Sequence, residues 1–401
     1  MGNLKLWVWL TSKKFITPEK ITALLSHYDN IEEIYEADRF ENVEGIGLRE
    51  KRDLLNKSLD TAERIIEKVK TLGARIVTIE DENYPKPLRE IEPPPYILYM
   101  KGEDIDFSEG LPIGVVGSRE CSDYGRVAAE HLSYEMAAAG VTIVSGMARG
   151  IDSIAAVSAL KAGGKTVAVL GSGIDIVYPP ENEDLMRAIE KNGLVITEYP
   201  PSCPPWPHNF PKRNRIISGL SKGLLVIEAG KPSGTFSTVE YAKNYGKEIF
   251  ALPGGIFRDN SQGTNEMIKK GAILTTSIRD IFERFPLEAS GLKRTEKKSV
   301  IVRILEKRAL EKKKRKNQKN KPEPIKEERT PINISIDDSR FGGLNEREKK
   351  VLEPLLKNTL HIDESARETS MDIRELNSIL PVLEMMGYIN KIEGNKYKIN
   401  I

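Results

Sequence analysis

The chain has 401 residues, 39% of them apolar and 30% charged, with a formal net charge of +2. That length allows two or three domains, one with a sizeable core. Its two thiols, Cys121 and Cys203, sit in no metal-ligand spacing and exclude a disulfide scaffold.

The N-terminal apolar run Leu6–Leu10 is too short for a signal sequence, and no segment approaches the length of a membrane span. A reduced, cytoplasmic protein with no membrane partner is expected. Charge is spread unevenly. Residues 291–330 hold 16 Lys and Arg against six Glu, a local +10 within a total of +2, so the rest sums to −8. An acidic body must meet any nucleic acid through a local pocket, not a general positive field.

Residues 1–80 read as a helical domain. Ser12 or Thr17-Pro18-Glu19 opens one helix, and Leu48 to Leu72 carries apolar residues at helical spacing. Between them Val43-Glu-Gly-Ile-Gly47 reads as a glycine hairpin between helices. It either packs as a plain turn or presents amides to a DNA phosphate, as in helix-hairpin-helix or SAM-like modules.

Residues 81–290 form a second domain in which β and α alternate from about 111. Strands are expected at Ile113–Val116, Thr142–Val144, Val167–Leu170, Leu194–Thr197, Leu224–Ile227 and Ile249–Leu252. Helices are expected near 123–139, 151–162, 183–192, 213–221 and 234–246. Short apolar strands alternating with such helices predict a mostly parallel, doubly wound sheet, with the ligand crevice beyond the carboxyl ends of the strands. Residues 291–340 read as a charged tether, helical in part near 298–316, with the run Lys312–Lys316. Residues 341–401 have the outline of a winged helix: a helix opening at Asn345, two more at about 362–369 and 372–386, then a hairpin.

Four glycine-bearing loops follow expected strands. They are Gly117-Ser118-Arg119; Ser145-Gly146-Met-Ala148-Arg-Gly150-Ile-Asp152; Gly171-Ser-Gly173; and Pro232-Ser233-Gly234-Thr235. Glycine after a strand can serve only the turn, but four in register point to a ligand crevice. A fifth segment, Phe210-Pro-Lys-Arg-Asn-Arg-Ile-Ile-Ser-Gly-Leu-Ser221, sets Lys212, Arg213, Asn214 and Arg215 at the start of an expected helix. Cations there add to the helix dipole and its unpaired amides, and Phe210 offers a face for a base. Single-stranded nucleic acid fits this set better than free phosphate. There is no P-loop, no dinucleotide fingerprint after the first strand, no metal-ligand cluster and no Gly-x-Ser-x-Gly elbow, so no cofactor, metal or catalytic residue is expected.

These motifs, in order, resemble the DNA-processing protein A family (DprA, also called Smf). The match adds Tyr84-Pro-Lys-Pro-Leu88, Pro93–Gly102, Asp175, Tyr178-Pro179, Thr197-Glu198-Tyr199, Glu228-Ala229, Phe250–Gly254 and Gly263-Thr-Asn265, and is dense from roughly 80 to 285. The resemblance implies an extended Rossmann-like, mostly parallel sheet with an N-terminal helical and a C-terminal winged-helix domain. It also implies a non-catalytic, homodimeric single-stranded DNA-binding protein that protects DNA and helps load RecA recombinase in transformation or recombination. Its site would include Gly117, Ser118, Arg119, Ser145, Gly146, Ala148, Gly150, Asp152, Phe210, Lys212, Arg213, Asn214, Arg215, Ser233, Gly234 and Lys243. Replacing Arg119 or Arg213 by Ala should then weaken binding without unfolding the domain. The chain departs from the family's pattern at Pro180 and Pro207, often Lys in members. Lys212, His208, Lys243 and Lys247 are the candidate replacements.

Two other readings compete. Phosphoribohydrolases of the same fold superclass carry Pro-Gly-Gly-x-Gly-Thr-x-x-Glu, which aligns with Pro232–Glu240 but meets Phe236 at the third glycine. A transcription or adaptor protein could work through the winged helix alone. Its expected recognition helix carries Arg374 as the only Lys or Arg, which suits a protein partner better than a major groove. Tyr241 and Tyr245 mark a possible dimer face, though core packing explains them equally well.

Overall fold

A computed structural model describes residues 2–231, 233–292, 336, 341, 343–392 and 396–400. The run Lys312–Lys316 and the helix expected near 298–316 lie outside these residues. The chain divides into two compact units.

Five helices open the first unit: α1 (Gly2–Thr11), α2 (Pro18–Leu25), α3 (Ile31–Glu36), α4 (Leu48–Leu55) and α5 (Asp60–Thr71). Thr17 and Pro18 start α2 as the sequence suggests, since Pro is tolerated at a first helical position. The single helical run expected over Leu48–Leu72 is two helices, α4 and α5. Trp7, Trp9, Leu24, Ile31 and Ile34 are buried in one apolar cluster with Tyr96, Leu170 and Ile189 from the α/β part. Trp7 stacks on Tyr96 with centroids 5.6 Å apart.

The α/β part runs β1 (Arg75–Thr78), α6 (Lys86–Arg89), β2 (Ile97–Gly102), β3 (Pro112–Val116), α7 (Asp123–Ala138), β4 (Thr142–Ser145), α8 (Ile151–Lys161) and β5 (Thr166–Val169). It continues with α9 (Glu183–Asn192), β6 (Leu194–Thr197), α10 (Asn209–Leu220), β7 (Gly223–Val226), α11 (Thr235–Asn244) and β8 (Glu248–Ala251). The unit closes with α12 (Asp259–Lys269), β9 (Ile273–Leu274), α13 (Ile278–Phe282) and α14 (Pro286–Gly291). One nine-stranded sheet results, ordered β1-β2-β6-β5-β4-β3-β7-β8-β9. Only the β1–β2 and β2–β6 pairings are antiparallel. The runs of Val, Ile and Leu in β3 to β7 are buried throughout, as expected of interior parallel strands covered on both faces. The order reverses between β3 and β7, which pair in parallel from Ile113 with Gly223 to Val116 with Val226. That reversal is the switch point at which α/β sheets open a crevice.

The second unit comprises α15 (Glu346–Lys357), β10 (Leu360–His361), α16 (Ile362–Thr369), α17 (Ile373–Met385), β11 (Ile389–Ile392) and β12 (Lys396–Ile399). Its sheet is ordered β10-β12-β11. Asn345 caps α15 by accepting from the amides of Arg347 and Glu348 at 3.0 Å each. Val351, Leu355, Leu376, Leu380 and Ile389 fill its own core. Three helices and a small antiparallel sheet make a winged helix. No helix among the described residues is long and apolar enough to cross a membrane.

Candidate nucleic-acid interface

Beyond the carboxyl ends of β3 and β7 lies a cleft of about 530 Å³. Its walls come from the loop after β3 (Gly117, Ser118, Arg119), the start of α8 (Ala148, Asp152), the first turns of α10 (Phe210, Arg213, Asn214) and the start of α11 (Ser233, Gly234). Ten of the sixteen expected residues therefore meet at one place.

The β3 loop is fixed by main-chain bonds. Ser118 N donates to Glu228 O at 2.9 Å, and Ile151 N donates to Ser118 O at 3.2 Å. Gly150 has a positive φ of 71°, and a Cβ there would stand 2.3 Å from Ser118 O. Only glycine lets the β4 loop lie against the β3 loop so closely. Arg119 is exposed, with its guanidinium carbon 5.9 Å from the Phe210 ring centroid. Arg213 approaches the same ring to 5.8 Å. Tyr178 packs at 5.3 Å from it, tilted by 40°. The ring is thus half-buried and electrostatically attractive to cations.

Arg213 differs sharply from Arg119. It is only 4% exposed, and its Nη1 donates to Gly146 O at 2.9 Å and to Val169 O. Nε donates to Asn214 Oδ1 at 3.2 Å, while Nη2 lies against Gly146. A Cβ on Gly146 would meet that Nη2 at 2.6 Å, so the glycine admits the guanidinium. Burial lowers the Arg213 guanidinium to about 10, with Asp152 opposing the shift. Asp152 is buried beside it and accepts from Gly146 N at 3.1 Å. Burial raises its carboxyl above the ordinary range, against the pull of Arg213.

Asn214 donates to Ser237 Oγ at 2.9 Å, joining α10 to α11. Ser233 Oγ accepts from Thr235 N at 3.2 Å and stiffens the entry to α11. Gly146 lies in a small adjoining recess with Arg149, Tyr178 and Pro179. Arg149 there is paired with Glu181.

Five further expectations are corrected. Helix α10 begins at Asn209, not near 213, because Pro211 is accommodated in the first turn. Arg213 and Arg215 are therefore in the helix interior, about 200° apart around its axis. Arg215 lines no part of the cleft and is 4% exposed, with Nη2 paired to the largely buried Glu198 at 2.5 Å. Lys212 and Lys243 are exposed but line no part of the cleft, the latter in the last turn of α11. Ser145 turns inward, its hydroxyl donating to Val115 O at 2.7 Å. Arg213 also carries a structural role, since the carbonyls of Gly146 and Val169 accept from its side chain.

Glu120, Ser237, Thr238 and Asn260, which the sequence pattern does not single out, also line the cleft, as does Thr235 of the fourth glycine loop. Ser237 and Thr238 lie four residues beyond Ser233 and Gly234, so helical periodicity from that loop would have found them. Asn260 carries no local signal; it arrives from α12 and donates to Glu120 O at 2.9 Å. Pro207 lines the cleft where a cation would otherwise stand, while His208, Lys243 and Lys247 do not line it. At the N-terminal hairpin, Glu50 Oε2 accepts from Gly47 N at 3.1 Å, while its Oε1 pairs with Lys20 at 2.6 Å. Lys20 holds the Glu50 carboxyl below its usual range. The Gly47 amide is therefore already paired with a carboxylate. No cluster of three or more potential metal ligands occurs among the described residues.

An extended Rossmann-like sheet with glycine loops at its switch point, followed by a winged helix, defines a class of α/β DNA-processing proteins. The chain matches the family described as DNA recombination-mediator protein A over residues 75–286, and the DprA winged helix domain over residues 342–395. It is 37% identical over 223 residues to the DNA processing protein DprA of Bacillus subtilis, covering 56% of this chain and 75% of that one. With the Streptococcus pneumoniae DprA it shares 41% over 208 residues, covering 52% and 73%. The X-ray structure of DNA processing protein A from Streptococcus pneumoniae superposes with a TM-score of 0.61 at 32% identity, covering 71% of this chain and 98% of that one. The chain belongs to the DprA/Smf family of DNA recombination-mediator proteins.

Proposed function

We propose that the chain binds single-stranded DNA in the β3/β7 cleft, protects it and helps load RecA recombinase, as a cytoplasmic homodimer without catalysis. The observation that carries this reading is the convergence of Arg119 and Arg213 on the Phe210 ring beside the start of α11. Phosphates would lie on Arg119, on Arg213 and near Ser233 and Gly234, while a base packs against Phe210. Residues 81–290 would be the DNA-binding domain. Residues 1–80 would act as a brace, 291–340 as a tether, and 341–401 as a protein-contact module.

The hydrolase alternative has less support. Glu240 is exposed and outside the cleft lining, and Phe236 packs against the apolar core where a ribose phosphate would need a glycine. Of the two carboxylates that line the cleft, Asp152 is engaged with Gly146 and Glu120 is exposed. Competition of unlabelled duplex against a labelled dT oligonucleotide tests the proposal. Single strand should win by a wide margin; equal competition, or release of free base from a nucleoside monophosphate, would favour the alternative.

A further inference from the structure

Two aromatic side chains outside the cleft project into solvent at its margins. Trp206 is 52% exposed and immediately precedes Pro207, a lining residue. Phe257 is 94% exposed and stands three residues before Asn260, another lining residue. Three residues of chain reach at most about 11 Å, so both rings stand at the rim.

The Phe257 loop is braced, not loose. Tyr124 Oη donates to Pro253 O at 2.7 Å, and Asn265 exchanges two bonds with Gly254 at 3.2 and 2.9 Å. Asn260 then holds Glu120 O at 2.9 Å, beside Arg119. Around Trp206 the chain is fixed as well: its N–H donates to Pro204 O at 2.8 Å and its carbonyl accepts from Asn209 N at 2.9 Å. Hydrogen-bonded backbones thus hold out a nearly free Phe257 ring and a half-exposed Trp206 ring.

The two loops leave the sheet from β6 and β8, five positions apart, with β3 and β7 between them. At about 4.8 Å per strand the separation is roughly 24 Å, at most about seven nucleotides at 3.4 Å each. We propose that Trp206 and Phe257 are stacking platforms for the nucleotides that flank the cleft, so the strand runs across the sheet's carboxyl edge from one ring to the other. The inference rests on the reading of the cleft as a single-strand site. A nucleic acid is favoured over a protein partner because the rings flank the cleft in which Arg119 and Arg213 meet at Phe210, and the exposed Arg258 adjoins Phe257. Separate aromatics along a cationic groove suit successive bases, each of which has a π face.

Of the three Trp residues, Trp7 and Trp9 are buried, so Trp206 alone can meet a base. The test titrates unlabelled dT 12-mer against tryptophan emission, and labelled dT 12-mer against anisotropy, for wild type, Trp206→Ala, Phe257→Ser and Arg119→Ala. Emission should be quenched with the same midpoint as the anisotropy change, and Trp206→Ala should lose that quench. Trp206→Ala and Phe257→Ser should each weaken binding about five- to tenfold. Binding that needs Arg119 but leaves emission unchanged, with both aromatic variants at wild-type affinity, would overturn the platforms and spare the cleft. No binding of the 12-mer by wild type would overturn both.

Discussion

The Arg119 guanidinium lies 5.9 Å from the centroid of the Phe210 ring, tying the loop after β3 to the first turn of α10. Arg213 approaches the same ring from within the protein, held by the carbonyls of Gly146 and Val169. The two cations therefore divide the work. Arg119 is available to a ligand, whereas Arg213 both faces the cleft and holds together the ends of β4 and β5.

Arg213→Ala should accordingly lower the stability of the first unit by about 3 kcal/mol, since two buried carbonyls lose their donor. Arg213→Lys should recover part of that loss, because an ammonium keeps the charge but not the planar fork. Urea unfolding of the three proteins measures it. Equal midpoints for wild type and Arg213→Ala would show that the carbonyl contacts contribute little.

Asp152 gives the stability a pH-dependent component of known sign. Its folded-state pKa is raised by burial, so the folded chain holds this proton more tightly than the unfolded chain does. The contribution is complete below the unfolded value, near 3.8, and is lost as pH rises through the raised folded value. Asp152→Asn should remove that component. The stability difference, wild type minus variant, should fall as pH is raised from about 3.5 to 8. A difference that stays flat or rises would place the Asp152 pKa at or below its ordinary value.

Gly125 lies in α7 where Glu228 approaches; an added Cβ would stand 2.3 Å from Glu228 Cδ. Glu228 accepts from Ser122 N at 2.9 Å and from the Ser122 hydroxyl, at the positive end of the helix. Gly125→Ala should destabilise by about 2 kcal/mol although Ala is the better helix former, because the carboxylate must be displaced. Thermal or urea unfolding would show it, and a stabilised variant would contradict the role given to Glu228.

Glu240 separates binding from hydrolysis. Glu240→Gln should bind dT oligonucleotide as wild type does, since the residue is exposed and outside the cleft. A marked loss of affinity in that variant would move the site toward the middle of α11.

The six strands from β3 to β8 were legible because each is a short, mostly apolar and mostly buried run. Three others were not. Arg75–Thr78 reads as the tail of the preceding helical segment, Ile97–Gly102 sits in a Pro-rich motif, and Ile273–Leu274 is only two residues long. The loops that meet at the switch point were legible from their glycines and their place after strands. What the pattern could not show was which cations of the Lys212–Arg215 run face outward. That depends on where α10 starts, and Pro211 pointed to a later start than the structure has. Arg215 joins Glu198 in the interior through a contact 17 residues apart in sequence, to which local spacing gives no clue.

The measurement that tests the account most directly is anisotropy binding of a labelled dT oligonucleotide to wild type and Arg119→Ala at several salt concentrations. Loss of one phosphate contact should weaken binding and reduce the slope of log K against log salt by about 0.7, with the unfolding midpoint unmoved. Equal affinity and equal slope in the two proteins would contradict the assignment of the cleft as the DNA site.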